Sequence, residues 1–143
     1  MPYCTLSDIE GALPREDIVA LTDDQNFDRL DETVVNKAIT GADSEIDGYL
    51  RGRYELPLSS APELIKDISI EITIYKLFKR RRKIDMPESI LNDYKLAVKK
   101  LESISKGTIS LGVEATNEPS GGEFATNKDS SSRVFTKELL DTY

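Results

Sequence analysis

The chain has 143 residues, of which 38% are hydrophobic and 31% are charged, and its formal net charge at pH 7 is −7. This length fits one globular domain and leaves no room for a second domain of the usual size. The chain contains no histidine, which excludes imidazole catalysis, the Ser-His-Asp and Cys-His arrangements and histidine-ligated metal sites.

The cysteine content and the lengths of the apolar runs indicate the cellular compartment in which the protein is made. Cys4 is the single cysteine, so no internal disulfide can form and a reducing compartment is expected. No apolar run approaches the ~18–20 residues of a membrane-spanning helix, and the N-terminal stretch lacks the basic and apolar regions of a signal peptide. We therefore expect a protein that is made in the cytoplasm.

The charges are unevenly distributed along the chain. Residues 1–40 hold 9 acidic and 3 basic residues, residues 41–107 hold 11 and 13, and residues 108–143 hold 6 and 3. Because neutralisation of phosphates supplies most nonspecific affinity for nucleic acid, this balance disfavours nucleic-acid binding over the whole surface. It leaves room for a local basic patch.

Two short helices are predicted near the N-terminus. Ser7 and Glu10 match the S-x-x-E capping box, so the first is expected to begin there. The second is expected to run from Pro14, a good first-turn residue, to about Thr22. A polar loop follows at residues 23–28.

A first long helix is predicted from about Asp31 to Arg53. Its apolar residues recur at spacings of three and four and fill an arc of about 160°, with Glu45 as the main polar interruption. This face must be buried, and Pro57 ends the segment.

The next segment carries two conflicting patterns. Alternating isoleucines at 68, 70, 72 and 74 are typical of a strand, whereas a second capping box at Ser60 and Glu63, with Pro62 between them, indicates a helix. We prefer a helix from Pro62 to about Arg82. One apolar face consists of Leu64, Ile65, Ile68, Ile72 and Tyr75. The adjoining apolar face consists of Ile70, Ile74, Leu77 and Phe78. A narrow polar strip remains, which consists of Lys66, Ser69, Thr73 and Lys76. Since only two other long helices are available to cover so much apolar surface, we expect another copy to cover the second face.

Pro87 opens the last long helix, which is predicted from Glu88 to Lys106, with Gly107 as its C-terminal cap. Residues 109–113 alternate apolar with polar side chains and predict a short strand or extended segment. Residues 114–132 are poor in apolar side chains and predict a flexible loop or linker. The tip at 133–143 is apolar again and needs a docking site, either in its own domain or in a neighbour. The predicted fold is all-α, with three longer helices, short N-terminal helices and an extended or flexible C-terminal arm, divided into residues 1–107 and 108–143.

Two charged clusters suggest binding sites. The basic run is similar to a phosphate-binding patch, although cations at a helix C-terminus also suit a solvated surface that complements the helix dipole. The acidic group suggests calcium but lacks the ligand order of a calcium loop, so a helix-capping surface is the favoured interpretation. The basic run consists of Lys79, Arg80, Arg81, Arg82 and Lys83, and the acidic group of Asp23, Asp24, Asp28, Asp31 and Glu32. Neither cluster indicates a catalytic site, a metal or a cofactor, and we do not expect an enzyme.

Three blocks of sequence resemble the Mu-type phage head-tail connector family of small virion adaptor proteins. They are ADSEIDGYLRGRYELPL at 42–58, PELIKDISIEITIYKLFKRRR at 62–82 and PESILNDYKLAVKKLESISKG at 87–107. The first block is the most specific, and the opening around Tyr3 and the Val134-Phe135 pair near the end are also similar. The resemblance spans most of the chain, with residues 114–132 as its variable part.

The resemblance implies a head completion protein without catalytic residues, located at the virion head-tail junction. Such adaptors form rings, often twelvefold, beneath the portal and extend the channel through which the genome passes. The implied partners are further copies of the chain, the portal protein, a tail or tail-completion protein, and DNA that passes without specific binding. The expected subunit interface consists of Ile70, Ile74, Leu77, Phe78, Phe135, Leu139, Leu140 and Tyr143. Two alternatives stay open: a DNA-binding module that uses residues 79–83, and an enzyme that uses paired carboxylates and a divalent metal.

Overall fold

A computed structural model of the chain describes residues 1–116. The regular secondary structure within that range is α-helical. The five helices are α1 (Leu6–Ala12), α2 (Arg15–Thr22), α3 (Glu32–Leu50), α4 (Glu63–Arg80) and α5 (Glu88–Ser105). The predicted all-α class, with three longer helices after two short ones, is confirmed. The predicted interface residues Phe135, Leu139, Leu140 and Tyr143 lie outside the described residues, as does most of the predicted linker.

The helix starts show where local capping motifs mislead. α1 is capped by Thr5, whose Oγ1 accepts the Asp8 N–H at 3.4 Å while the Asp8 carboxylate accepts the Thr5 N–H at 2.8 Å. The capping box predicted at Ser7 and Glu10 is therefore wrong, because the pair two positions earlier forms it. At α4 the N-cap is Pro62, which makes no side-chain hydrogen bond, so the second predicted box is wrong as well.

The helical interpretation of residues 63–80 is confirmed, and its isoleucines divide between two cores. The first core lies between α3, α4 and α5 and consists of Tyr3, Ala42, Ile46, Leu50, Tyr54, Ile65, Ile68, Ile72, Ala97, Leu101, Ile104 and Leu111. The second core lies where α1 and α2 meet α3 and α4 and consists of Cys4, Ile9, Ile18, Leu21, Val35, Ile39, Ile74, Leu77 and Phe78. α4 is thus the helix that both cores share.

The second core corrects one premise of the sequence analysis. Leu77 is fully buried, Ile74 and Phe78 are buried, and Ile70 is half-buried, all within a single chain. The cover that was expected from another copy comes from α1 and α2, which bring Ile9, Ile18 and Leu21 onto this face of α4. Two short helices suffice because each contributes fully buried isoleucine or leucine side chains.

The end of α5 is closed by a glycine, as predicted. Gly107 has φ +81°, its N–H donates to the Ile104 carbonyl at 3.0 Å, and the Thr108 N–H donates to the Ser103 carbonyl at 2.9 Å. These two bonds form a Schellman motif, in which a glycine at positive φ satisfies the last carbonyls of a helix. The guanidinium group of Arg53 occupies the space that a Cβ at residue 107 would need.

Residues 108–116 pack back onto the first core. Leu111 is buried there, with Ile109, Val113 and Ala115 partly buried beside it. A strand over 109–113 does not form: within residues 1–116 the pairing is one antiparallel bridge between Tyr54 and Ala115. This part of the predicted C-terminal arm belongs to the packed structure.

Leu77→Ala should lower the free energy of unfolding by about 2–5 kcal/mol, because it opens a cavity in the second core. Urea unfolding of the purified protein measures this. Leu96→Ala is the control, since Leu96 is 53% exposed on α5 and its truncation should change stability by less than about 0.5 kcal/mol. Equal stability of the two variants would show that α1 and α2 do not cover this face of α4.

Gly107→Ala should destabilise the protein by about 1–2 kcal/mol, because alanine is strained at positive φ. Its Cβ would also displace the Arg53 guanidinium. Gly48→Ala in α3 is the matched control: nothing lies within 4 Å of the added Cβ, so helix propensity should make it neutral or stabilising by up to about 1 kcal/mol. Thermal unfolding of both variants compares them, and a neutral Gly107→Ala would contradict the described turn.

Candidate interaction surfaces

The basic run at the end of α4 divides into two parts with different contacts. Arg80 donates from Nη1 to the Leu21 carbonyl at 3.1 Å and forms an ion pair with Asp24. Arg81 donates from Nη2 to the Asp23 carbonyl, and its Nε lies 3.7 Å from the Asp24 carboxylate. Both arginines therefore hold the loop between α2 and α3 against the end of α4.

The other three cations of the run are exposed. The Lys79 Nζ lies 5.8 Å from the ring centroid of Tyr75. Arg82 and Lys83 form no ion pair with any residue in 1–116. Only this part of the run is available to a partner without cost to the fold.

The acidic group serves the loop and the helix start. The Asp23 carboxylate accepts backbone N–H groups of Gln25 and Phe27, both at 3.2 Å, and of Asp28 at 2.9 Å. Desolvation acts against ionisation, but these donors lower the pKa of Asp23 below its ordinary value. Asp31 caps α3 by accepting the Thr33 N–H at 2.9 Å. Within residues 1–116 no group of three or more Cys, Asp or Glu side chains is placed to hold a metal ion.

The N-terminal segment is anchored by a buried polar network. The Asp43 carboxylate accepts the Tyr3 N–H at 3.2 Å and the Ser69 hydroxyl at 3.3 Å, and the Ser69 Oγ lies 3.2 Å from the Cys4 Sγ. Desolvation raises the pKa of Asp43 and of the Cys4 thiol, so the thiol stays protonated and unreactive. Ser69 and Thr73, predicted to lie on a polar strip, are fully buried by this segment.

Glu45, which interrupts the apolar face of α3, joins three helices. Its carboxylate accepts the Tyr94 hydroxyl of α5 at 2.8 Å and forms an ion pair with Lys76 of α4 at 2.8 Å. Tyr94 stacks on Tyr75 with ring centroids 3.8 Å apart. Burial and the hydrogen bond to Glu45 raise the pKa of Tyr94 to about 12, so its hydroxyl remains a donor. The residue that broke the apolar pattern is thus a structural contact.

An open groove runs between the N-terminal half of α3 and the C-terminal half of α4. Its volume is ≈ 510 Å³ and it is lined by Thr33, Val34, Lys37, Ala38, Lys76 and Arg80. Val34 and Ala38 are half-buried and form an apolar floor, while the three cations stand along the rim. We call this the α3–α4 groove. No sequence pattern predicts this groove, because its lining comes from two helices and neither helix shows it alone.

Of the predicted interface residues, Ile70, Ile74, Leu77 and Phe78 lie in or against the second core, and the remainder lie beyond the described range. Among residues 1–116 no helix combines the length and the apolar character that crossing a membrane requires.

Comparison with known proteins gives consistent matches. A family model for bacteriophage Mu Gp36 matches residues 3–127. The Mu-like prophage FluMu protein gp36 of Haemophilus influenzae is 33% identical over 106 residues, which cover 74% of this chain and 72% of that protein. Gene product J of Escherichia phage Mu is 29% identical over 140 residues, which cover 96% of each chain. The chain belongs to the bacteriophage Mu Gp36 family, and the expectation of a Mu-type phage protein is confirmed.

Arg81→Ala should destabilise the protein by about 1 kcal/mol or more, because the Asp23 carbonyl loses its donor and the loop its contact with α4. Arg82→Ala should leave stability unchanged, since Arg82 is exposed and forms no ion pair in the described part of the chain. Hydrogen exchange of residues 23–31 measures the effect: only Arg81→Ala should accelerate it. Equal exchange in the two variants would contradict the division of the basic run.

Proposed function

We propose that this member of the bacteriophage Mu Gp36 family is a head-tail adaptor, a structural virion protein that forms a ring below the portal, extends the DNA channel and joins the tail. Family membership carries the proposal, because the match over residues 3–127 and the two Mu-type relatives support a phage structural or assembly protein. The adaptor role itself is supported by the resemblance of the three sequence blocks to head-tail connectors. The proposal includes no catalytic step and no cofactor.

A closed ring needs two different surfaces on each subunit, because its contacts are heterologous. The covered faces of α4 are unsuitable, since the chain's own helices occupy them. The outer surfaces of the covering helices remain. α5 and the α1–α2 pair cover different faces of α4, so their outer surfaces point in different directions.

Both outer surfaces carry exposed charges of both signs: α5 exposes Glu88, Asp93 and Glu102 beside its lysines, and α2 exposes Arg15 beside its acids. On α5, Lys95 and Lys99 are exposed one helical turn apart on the same face, beside the exposed Leu96. In the first turn of α2, Glu16 and Asp17 are exposed. None of these four charged side chains forms an ion pair within residues 1–116. In the proposed ring, the α5 surface of one subunit meets the α2 surface of the next, and opposite charges fix the register.

The remaining partners follow from the position below the portal. The portal protein and a tail or tail-completion protein contact the two ends of the ring, at the virion head-tail junction. DNA passes through the lumen without specific binding, because the net charge of −7 opposes counterion-driven attachment. The DNA-binding alternative loses support from the structure, since Arg80 and Arg81 of the basic run are engaged within the chain.

The double substitution Lys95→Glu and Lys99→Glu should abolish ring formation while thermal unfolding stays unchanged, because both side chains are exposed and unpaired in the described chain. Native mass spectrometry of the full chain, alone and with portal protein, measures the assembly. Arg82→Glu with Lys83→Glu is the matched control, since it changes the net charge by the same amount at a different surface. This control should assemble like the wild type.

Three results would contradict the proposal in different ways. A full chain that stays monomeric with and without portal protein would refute the ring. A ring that survives the α5 substitutions but is lost in the Arg82 and Lys83 variant would move the interface to the basic turn. A salt-sensitive gel shift of duplex DNA that disappears in that variant would support the DNA-binding alternative instead.

A further inference from the structure

The α3–α4 groove has a chemical pattern that specifies what can fill it. Its floor, Val34 and Ala38, lies one helical turn apart on α3 and offers apolar contact. Its rim is cationic. Lys76 and Arg80 are already paired with Glu45 and Asp24, whereas Lys37 is exposed and forms no ion pair with a residue in 1–116. A fitting ligand is a short apolar segment that carries acidic side chains.

The chain itself contains such a segment beyond the described residues. Leu139 and Leu140 are adjacent, with Glu138 before them and Asp141 after them. Two apolar side chains flanked by two carboxylates match an apolar floor beside a cationic rim. Within residues 117–143, residues 138–141 combine adjacent leucines with an acidic residue on each side.

The chain between Thr116 and residue 138 is long enough to reach the α3–α4 groove. Thr116 donates its N–H to the Arg53 carbonyl at 3.0 Å, which fixes the start of the undescribed chain near the C-terminal end of α3. The groove lies toward the other end of α3, which at 1.5 Å per residue is about 25 Å away. For a flexible chain of 21 residues, the length of 117–137, the root-mean-square span is about 25 Å. The span and the distance therefore match.

We propose that residues 138–141 dock in the α3–α4 groove of their own chain, with Leu139 and Leu140 against Val34 and Ala38 and with the flanking carboxylates toward Lys37. The own chain is the favoured occupant because a linker of matching span holds its end at a millimolar effective concentration, far above a micromolar second copy. The inference is independent of the adaptor proposal, since it concerns a contact within one subunit.

Disulfide trapping in the full chain tests this contact. In a Cys4→Ala background, Thr142→Cys is combined with Thr33→Cys at the groove or with Thr40→Cys as control. Thr33 and Thr40 are both exposed on α3, and Thr40 lies nearer to the tether point but outside the groove. The Thr33 pair should form an intramolecular disulfide about tenfold faster than the Thr40 pair, because docking raises the local concentration beyond that of a free tether.

Further substitutions connect the trapping to the proposed contacts. Leu139→Asp with Leu140→Asp should abolish the rate difference, and Lys37→Glu should reduce it. The methyl resonances of Val34 and Ala38 should shift in the leucine variant of the full chain without cysteine substitutions. Equal trapping rates for the two cysteine pairs would overturn the inference. Predominant disulfide-linked dimers from the Thr33 pair would also overturn it, since the occupant would then be a second copy.

Discussion

The structure depends on the covering of α4, which is apolar over most of its circumference. A helix of this kind cannot lie at a surface, because its exposed hydrocarbon would cost more than a small domain has in stability. α3 and α5 cover one face and the short helices α1 and α2 cover the adjoining one. The N-terminal segment closes the remaining strip, where Ser69 and Thr73 find Cys4 and Asp43 as partners. Every element is thus placed by its contact with one helix.

The sequence predicts the elements better than it predicts their contacts. Apolar spacing and proline positions are local, so Pro14, Pro62 and Pro87 mark the starts of α2, α4 and α5 as expected. Capping motifs are also local, but several neighbouring residues can satisfy the same pattern. The N-cap of α1 is Thr5 and not the predicted Ser7. Contacts between distant positions have no local signature. The burial of the second face of α4 and the shared α3–α4 groove depend on such contacts, which is why they were not predicted.

Several charged residues of this chain make intramolecular contacts that stabilise the fold. Five consecutive basic residues suggest a binding patch, yet Arg80 and Arg81 hold a loop that lies 56 or more positions away in the sequence. Glu45 likewise breaks an apolar pattern in order to join α3, α4 and α5. A run of like charges therefore suggests a binding partner only for those members that make no intramolecular ion pair. Within the described residues 1–116, these members of the run 79–83 are Lys79, Arg82 and Lys83.

The attachment of Thr116 to the carbonyl of Arg53, by both its N–H and its hydroxyl, has a consequence for protein engineering. The packing described for residues 1–116 reaches this bond, so residues inserted directly after Thr116 add chain length without changing the order of the helices that form the two cores. Such insertions make a molecular ruler. A graded series of glycine-serine spacers at this position would lengthen the chain between the Thr116 anchor and the C-terminal leucines, in steps set by the number of added residues.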